Sequence, residues 1–259
     1  MTTTRTLRLA GVDVPRVGLG TNRLTTTKAN VAFLREAVDA GLRHVDTAHL
    51  YTGGDSEETI GAAFGDGAPE DLVVATKGGY GGAGQGRPEV LHAQIEQSLR
   101  ALRVDAITLY YLHRVDPETP LEESLGAISE HVDRGAIRHV GVSSVTVEQL
   151  ERARRVLPIA AVQNQYNLGD RRDDAVVEHC AEHGIAFVPY FPLRGGDGPA
   201  IGRIAERHGV TPNAVRLAWL LRRAPVVAPI PGTLSIDHLR ENLAALDVEL
   251  TSEDAAELG

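Results

Sequence analysis

The sequence predicts a (β/α)8 barrel of the TIM type, opened by an N-terminal β-hairpin. Three observations lead there. Short Val/Ile/Leu-rich runs alternate with longer segments of helical period; eight such units fit within 259 residues; and no linker, charge block or change of composition divides the chain. Near-continuous apolar strands between helices read as a parallel sheet covered on both faces. Right-handed crossovers alone suffice to close eight of them. A single domain spanning 1–259 is expected.

Taken in order, 6–10, Gly11-Val12 and 13–15 form a small hairpin able to plug the barrel floor. Strands are expected at 16–20, 44–48, 72–77, 106–113, 139–142, 160–163, 186–190 and 226–230. Helical period follows at 28–40, 88–102, 121–134, 147–156, 173–183, 200–208 and 236–246, and 212–223 adds a helix before the eighth strand. The competing fold is a doubly wound dinucleotide-binding sheet, because Gly18-Leu-Gly20 sits near a strand. That fingerprint needs a third glycine three residues on, opening a helix, and position 23 is Arg. The competitor fails.

Composition narrows the function classes. Hydrophobic residues make up 42% of the chain, enough for an extended core. The net charge of −9 disfavours nonspecific attraction to nucleic acid. A lone cysteine, Cys180, excludes an intramolecular disulfide and suits a reducing compartment. The opening Met-Thr-Thr-Thr-Arg-Thr-Leu-Arg lacks the apolar core of a signal peptide, and no run approaches the roughly 18 apolar residues of a membrane span. A cytoplasmic chain with no membrane or nucleic-acid partner is expected. Its acidic, Ala/Arg-rich helices show no interface stripe, so a monomer is the default.

Chemistry concentrates at strand ends. Asp46-Thr-Ala-His-Leu-Tyr51 follows one apolar run, Val73-Val-Ala-Thr-Lys77 ends a second on a lysine, and Leu109-Tyr-Tyr-Leu-His113 ends a third on a histidine. In a parallel barrel these ends converge on the face where active sites are built. A tyrosine with its ordinary pKa near 10 is a poor proton donor or acceptor at neutral pH. A nearby ammonium is expected to lower that pKa, and a carboxylate keeps the ammonium charged in a partly dry pocket. A histidine beside the phenol can donate to a substrate oxygen. Tyr51, Lys77, Asp46 and His113 supply these parts, which suit protonation of a carbonyl oxygen as hydride reaches its carbon. Taken singly, each has a plainer role: a turn cap, a loop wall, a solvated strand end, a rim histidine. Their joint placement on one face argues for the chemistry.

The chain resembles the aldo-keto reductases over nearly its whole length. His44-Val-Asp-Thr-Ala-His-Leu-Tyr51 with Gly53-Gly-Asp-Ser-Glu-Glu-Thr-Ile-Gly61 is similar to that family's Asp/Tyr signature. Leu109 to His113, Gly141-Val-Ser-Ser144, Val162-Gln-Asn-Gln-Tyr-Asn167, and Pro229-Ile-Pro-Gly-Thr233 through Glu241-Asn242 resemble its later blocks in order. The resemblance implies a hydride transfer from NADPH to an aldehyde, ketone or sugar-like carbonyl. It makes Tyr51 the general acid/base, Lys77 and Asp46 its tuning pair and His113 the substrate-orienting donor.

It further implies a nicotinamide cofactor across the barrel mouth. Ser143 and Gln163 would bind the carboxamide, with Ser144 where relatives usually carry Asn, and Tyr190 would stack on the ring. Gly20, Thr21 and Asn22 would line the first loop beside the ribose, and Leu193 and Arg194, with Gly195 and Gly196, would approach the pyrophosphate. At the adenosine end, Lys-Ser and a later Arg of many relatives are replaced by Gly232, Thr233 and His238, while Glu241 and Asn242 match the adenine side. NADPH is favoured and NADH possible, since losing two cations weakens selection for the 2′-phosphate.

The short segment after His113 (Arg114-Val-Asp-Pro-Glu-Thr-Pro120) and the short tail after Leu250 imply an open, shallow substrate site. Arg114 next to His113 reads as a solvated strand-end arginine, with attraction of an anionic substrate as its functional alternative. Tyr80, Tyr166 and Trp219 read as wall or core. Two other readings compete: a cofactor-holding barrel acting as a redox sensor or regulatory protein with little turnover, and an isomerase or aldolase using Lys77 as a Schiff-base nucleophile. No metal site is expected, because neither His-Glu-x-x-His nor paired cysteines occur.

Overall fold

Side-chain alternation builds the first element. β1 (Thr6–Leu9) and β2 (Val12–Pro15) pair antiparallel, with Leu7 opposite Val14. Leu7, Leu9 and Val14 are buried against Val73, Ala75, Leu109, Ala161 and Ala228 of the parallel strands. The hairpin therefore plugs one end of the barrel, as the sequence predicts. The computed structural model describes residues 4–196 and 198–259, and of Asp66 the backbone only.

Seven parallel strands follow in chain order: β3 (Leu19–Gly20), β4 (His44–Asp46), β5 (Val73–Gly78), β6 (Ile107–Leu112), β7 (Ile137–Ser143), β8 (Ile159–Gln163) and β9 (Ala186–Phe187). Each pairs with its successor. The eighth strand, expected at 226–230, closes the barrel without a continuous ladder. Val227 bridges Phe187 and Gly232 bridges Gly20. Between them Gly18 N donates to Pro229 O at 2.9 Å and Gly20 N to Pro231 O at 3.2 Å. Pro229 and Pro231 have no N–H, so they accept from β3 and return nothing. Gly20 permits the approach: a Cβ there would lie 2.8 Å from the Ile230 carbonyl oxygen.

Arg16 pins the hairpin end of this closure. Its buried guanidinium donates to the carbonyls of Val227 at 3.0 Å, Leu221 at 2.7 Å and Ala224 at 2.5 Å. Burial pulls its pKa down to about 10.

The expected helices form with ends that match or shift by at most two residues: α1 (Lys28–Asp39), α3 (Pro88–Leu102), α4 (Leu121–Asp133), α5 (Val147–Val156), α6 (Asp174–His183), α7 (Pro199–His208), α8 (Pro212–Arg223) and α9 (Ile236–Ala244). Thr27, Thr146, Thr211 and Ser235 cap four of them through side-chain oxygens. Two more were not among the elements read from the sequence. α2 (Asp55–Ala63) starts after left-handed Gly54 with no side-chain cap, and much of its buried face is polar or small: Ser56, Glu57, Thr59 and Gly61. An apolar period cannot reveal such a helix. Instead, Thr76 Oγ1 donates to Glu57 Oε1 at 2.5 Å, and Gly61 packs where a Cβ would meet the Ala101 carbonyl. α10 (Ser252–Leu258) carries a Thr251/Asp254 capping box. Among the described residues, no helix is long and apolar enough to cross a membrane.

Candidate active site

The site forms where β4, β5, β6 and β8 end together. Past Asp46, Thr47 N donates to Ala75 O at 2.8 Å and His49 N to Lys77 O at 3.0 Å, so the chain keeps to β5 before turning. The turn Tyr51–Gly54 contains Thr52 at φ 51, a left-handed conformation that is costly for a β-branched residue. Lys77, fully buried near the end of β5, donates from Nζ to Asp46 Oδ1 and to Thr47 O, both at 2.6 Å. Gln163, the last residue of β8, donates from Nε2 to Asp46 Oδ2 at 2.8 Å. The Tyr51 ring centroid lies 5.0 Å from Lys77 Nζ. His113 N donates to Gly78 O at 2.8 Å, and its ring stands edge-on to Tyr51 with centroids 6.0 Å apart.

Electrostatics follow from burial. Burial opposes the charge on Lys77, but Asp46 and Tyr51 more than offset it, and its pKa rises. With two acceptors at 2.6 Å and a raised pKa, Lys77 has no free lone pair for a Schiff base. The Tyr51 phenol departs from expectation. Lys77 does pull its pKa down, yet burial, helped by Asp46, pushes harder, and the net shift is upward. Tyr51 is therefore held as the protonated phenol, the form that donates. Burial, then Lys77 and Arg114, hold His113 down to about 2, so its imidazole is neutral at any working pH.

Tyr51, Asp46 and His113 open onto a cavity of about 630 Å³. Of the remaining residues singled out by sequence, Gly20, Thr21, Asn22, Ser143, Ser144, Gln163, Tyr190, Leu193, Arg194 and Gly232 line the same cavity. Thr233, His238, Glu241 and Asn242 line a second cavity of about 570 Å³, which shares Arg23, Leu193 and Gly232 with the first. The residues expected along one extended ligand thus divide between two hollows that share three lining residues. Ser144 Oγ lies 3.3 Å from the Tyr190 hydroxyl, and the Tyr190 ring meets Phe191 edge-on at 5.2 Å. The Gly195 turn is explained by packing as well: its added Cβ would lie 2.2 Å from Gly169 N.

Of the five non-glycine residues with left-handed backbones among the described residues, Ser144 (φ 58) and Phe191 (φ 53) line the first cavity and Thr52 follows Tyr51. Such strain tends to gather at functional sites.

Two contributors were given no site role in the sequence, and a third, Tyr80, was read there as wall or core. Arg23, used above only to reject a glycine fingerprint, lines both cavities. Tyr80 is a wall rather than core, 42% exposed, with its ring 4.8 Å from that of His113. Asp116 accepts from Gly84 N, Gly86 N, Glu118 N and Thr119 Oγ1, tying two loops of the mouth together. The signal for Tyr80 and Asp116 is long-range pairing, which sequence patterns do not carry. Away from both cavities, among the described residues, Glu151 of α5 and His179 and His183 of α6 bring three possible metal-ligand atoms within 4.8 Å of one another. A search for contiguous metal motifs does not find such a group, because Glu151 comes from a different helix. Tyr166 and Trp219 are buried and stacked, as expected for core.

The profile of the Aldo/keto reductase family matches residues 16–197 and 198–259. Pyridoxine 4-dehydrogenase of Escherichia coli is 36% identical over 242 residues, covering 86% of this chain and 83% of that protein. Among solved structures, a thermostable aldo-keto reductase in complex with the inhibitor epalrestat superposes with a TM-score of 0.89 at 34% identity, over 98% of each chain. An aldo/keto reductase from Klebsiella pneumoniae in complex with NADP and acetate gives 0.87 at 32% identity, over 98% of this chain and 94% of that one.

Proposed function

The chain belongs to the aldo/keto reductase family, and on that premise we propose that it reduces an aldehyde or ketone with hydride from NADPH, with Tyr51 as the proton donor. The observation that carries this reading is the buried Lys77–Asp46 pair at 2.6 Å, set beneath a tyrosine that burial keeps protonated. The joined cavities suit an extended dinucleotide. Gly20, Thr21, Asn22, Ser143, Ser144, Gln163 and Tyr190 would hold its nicotinamide half. Leu193, Arg194 and Arg23 would hold its phosphates, and Gly232, Thr233, His238, Glu241 and Asn242 its adenosine half. When bound, the cofactor supplies the hydride.

The residues of the chain supply the rest. Tyr51 donates its phenolic proton to the carbonyl oxygen, and the developing phenolate is stabilised by the Lys77 ammonium. Asp46 keeps that ammonium charged and aimed, while Gln163 and Lys77 occupy both carboxylate oxygens. His113, neutral, orients the carbonyl as a hydrogen-bond donor rather than delivering a proton of its own.

Following the reduced-nicotinamide absorbance over a panel of aldehydes and ketones tests the reading. Oxidation of NADPH is expected, and Tyr51→Phe should cut turnover about 10²–10⁴-fold while leaving cofactor affinity nearly intact. Tight cofactor binding with no carbonyl turned over would favour a sensing role instead.

A further inference from the structure

We propose that the preferred substrates carry, across an apolar body from the carbonyl, a second, anionic group, a carboxylate or phosphate held by Arg114; this inference rests on the reductase reading above. The chain has a net charge of −9. Nevertheless, the charged residues lining the first cavity are Arg23, Arg114, Arg194 and Asp46, and Asp46 is neutralised by Lys77. A cationic mouth on an acidic protein concentrates anions there.

The three arginines divide by position. Arg23 lines both cavities, and Arg194 adjoins Leu193, which does the same. Those two sit along the run assigned to the cofactor phosphates. Arg114 lines the first cavity only and directly follows His113. It stands where a substrate, rather than a cofactor, would extend past the carbonyl.

Arg114 is also exposed and uncommitted. Among the described residues no acid pairs with it, since the nearest acids in sequence are engaged elsewhere. Asp116 accepts its four hydrogen bonds at 2.7–3.0 Å, and Glu118 lies 3.8 Å from Arg87. The Arg114 guanidinium carbon sits 5.3 Å from the Tyr80 ring centroid, and that ring lies 4.8 Å from His113. Through its bonds to Gly84 and Gly86, Asp116 ties the loop following Tyr80 to its own loop, which begins at Arg114. A cation thus lies over the ring that separates it from the carbonyl-orienting histidine. Exposed Leu50, Tyr80 and Phe191 give the space between an apolar wall. A compound with a carbonyl at one end, an apolar or aromatic body and an anion at the other end matches all three features.

The test compares kcat/KM for 4-carboxybenzaldehyde and for its methyl ester, with NADPH, in the parent enzyme, Arg114→Gln and Arg114→Lys. A charge-assisted contact of this kind is expected to favour the carboxylate about 10- to 100-fold in the parent. The ratio should fall towards one in Arg114→Gln and recover partly in Arg114→Lys, which keeps the charge but loses the fork. Raising sodium chloride should shrink the parent's ratio and leave that of Arg114→Gln flat. Turnover of the ester without preference for the carboxylate, or the same ratio in Arg114→Gln, overturns this inference alone. Turnover of neither aldehyde, nor of any other carbonyl in the panel, overturns the reductase reading beneath it.

Discussion

Gln163 donates its side-chain amide to Asp46 Oδ2 at 2.8 Å, on the oxygen that Lys77 leaves free. Both residues are almost fully buried. Gln163→Leu therefore strands a charged acceptor away from water, and a loss of about 1–3 kcal/mol is expected. Urea unfolding of the two proteins, with equal m values, measures it. A loss below about 0.5 kcal/mol would mean that Lys77, itself tied to Thr47 O, holds the carboxylate in place without Gln163.

His44 should make the protein acid-sensitive. It is fully buried two residues before Asp46, and among the described residues neither ring nitrogen has a hydrogen-bond partner. Burial is the main cause that holds its pKa down to about 4 from an ordinary 6.5. The sign follows from proton counting: between those values the unfolded chain binds a proton that the folded chain refuses, so stability falls as pH falls. The loss begins near 6.5 and is complete below about 4, on the order of 3 kcal/mol from this group alone. His44→Leu removes the proton site and should flatten the unfolding free energy over that window relative to the parent. Parallel curves for the two proteins would show that His44 is solvated in the folded state.

What the sequence made legible, and what it hid, divides along range. Asp46, Tyr51, Lys77 and His113 were readable because each ends or follows an apolar run, and barrel topology fixes where such ends meet. The direction of the Tyr51 shift was not, because it depends on how far burial outweighs Lys77, and burial is a property of the packed mouth. Tyr80 and Asp116 lie on loops whose pairing spans some 30 residues, with no local pattern to mark it. α2 escaped because polar and small residues fill so much of its inner face. The eighth strand was placed correctly by its apolar run, but Pro229 and Pro231 turned its ladder one-sided.

Ser144 carries a left-handed backbone at φ 58, which asparagine adopts more readily than serine. Such a conformation costs a non-glycine residue about 1–3 kcal/mol. Ser144→Asn should recover part of that cost and raise the melting temperature by roughly 1–4 °C. The substitution also places an amide at the cavity wall, so tighter cofactor binding, read by fluorescence quenching, is expected alongside. A lower melting temperature would mean that the Ser144–Tyr190 contact at 3.3 Å outweighs the backbone strain.

On the proposed reading, cofactor choice turns on the second cavity. His238 is exposed in the first turn of α9, and it lines that hollow together with Thr233 and the helix N-cap Ser235. Backbone N–H groups at a helix start attract phosphate but do so weakly beside a fixed cation. His238→Arg supplies that cation where only a 2′-phosphate would meet it. The NADPH-over-NADH ratio of affinities should rise about tenfold or more, the increment of one charge-assisted bond. Arg23 gives the contrast, since it lines both cavities and, on the proposed reading, would meet the pyrophosphate that both dinucleotides share. Arg23→Ala should weaken both cofactors together and leave their ratio unchanged. If His238→Arg strengthens both equally, the 2′-phosphate is not bound in this cavity, and selection between the cofactors lies with another part of the chain.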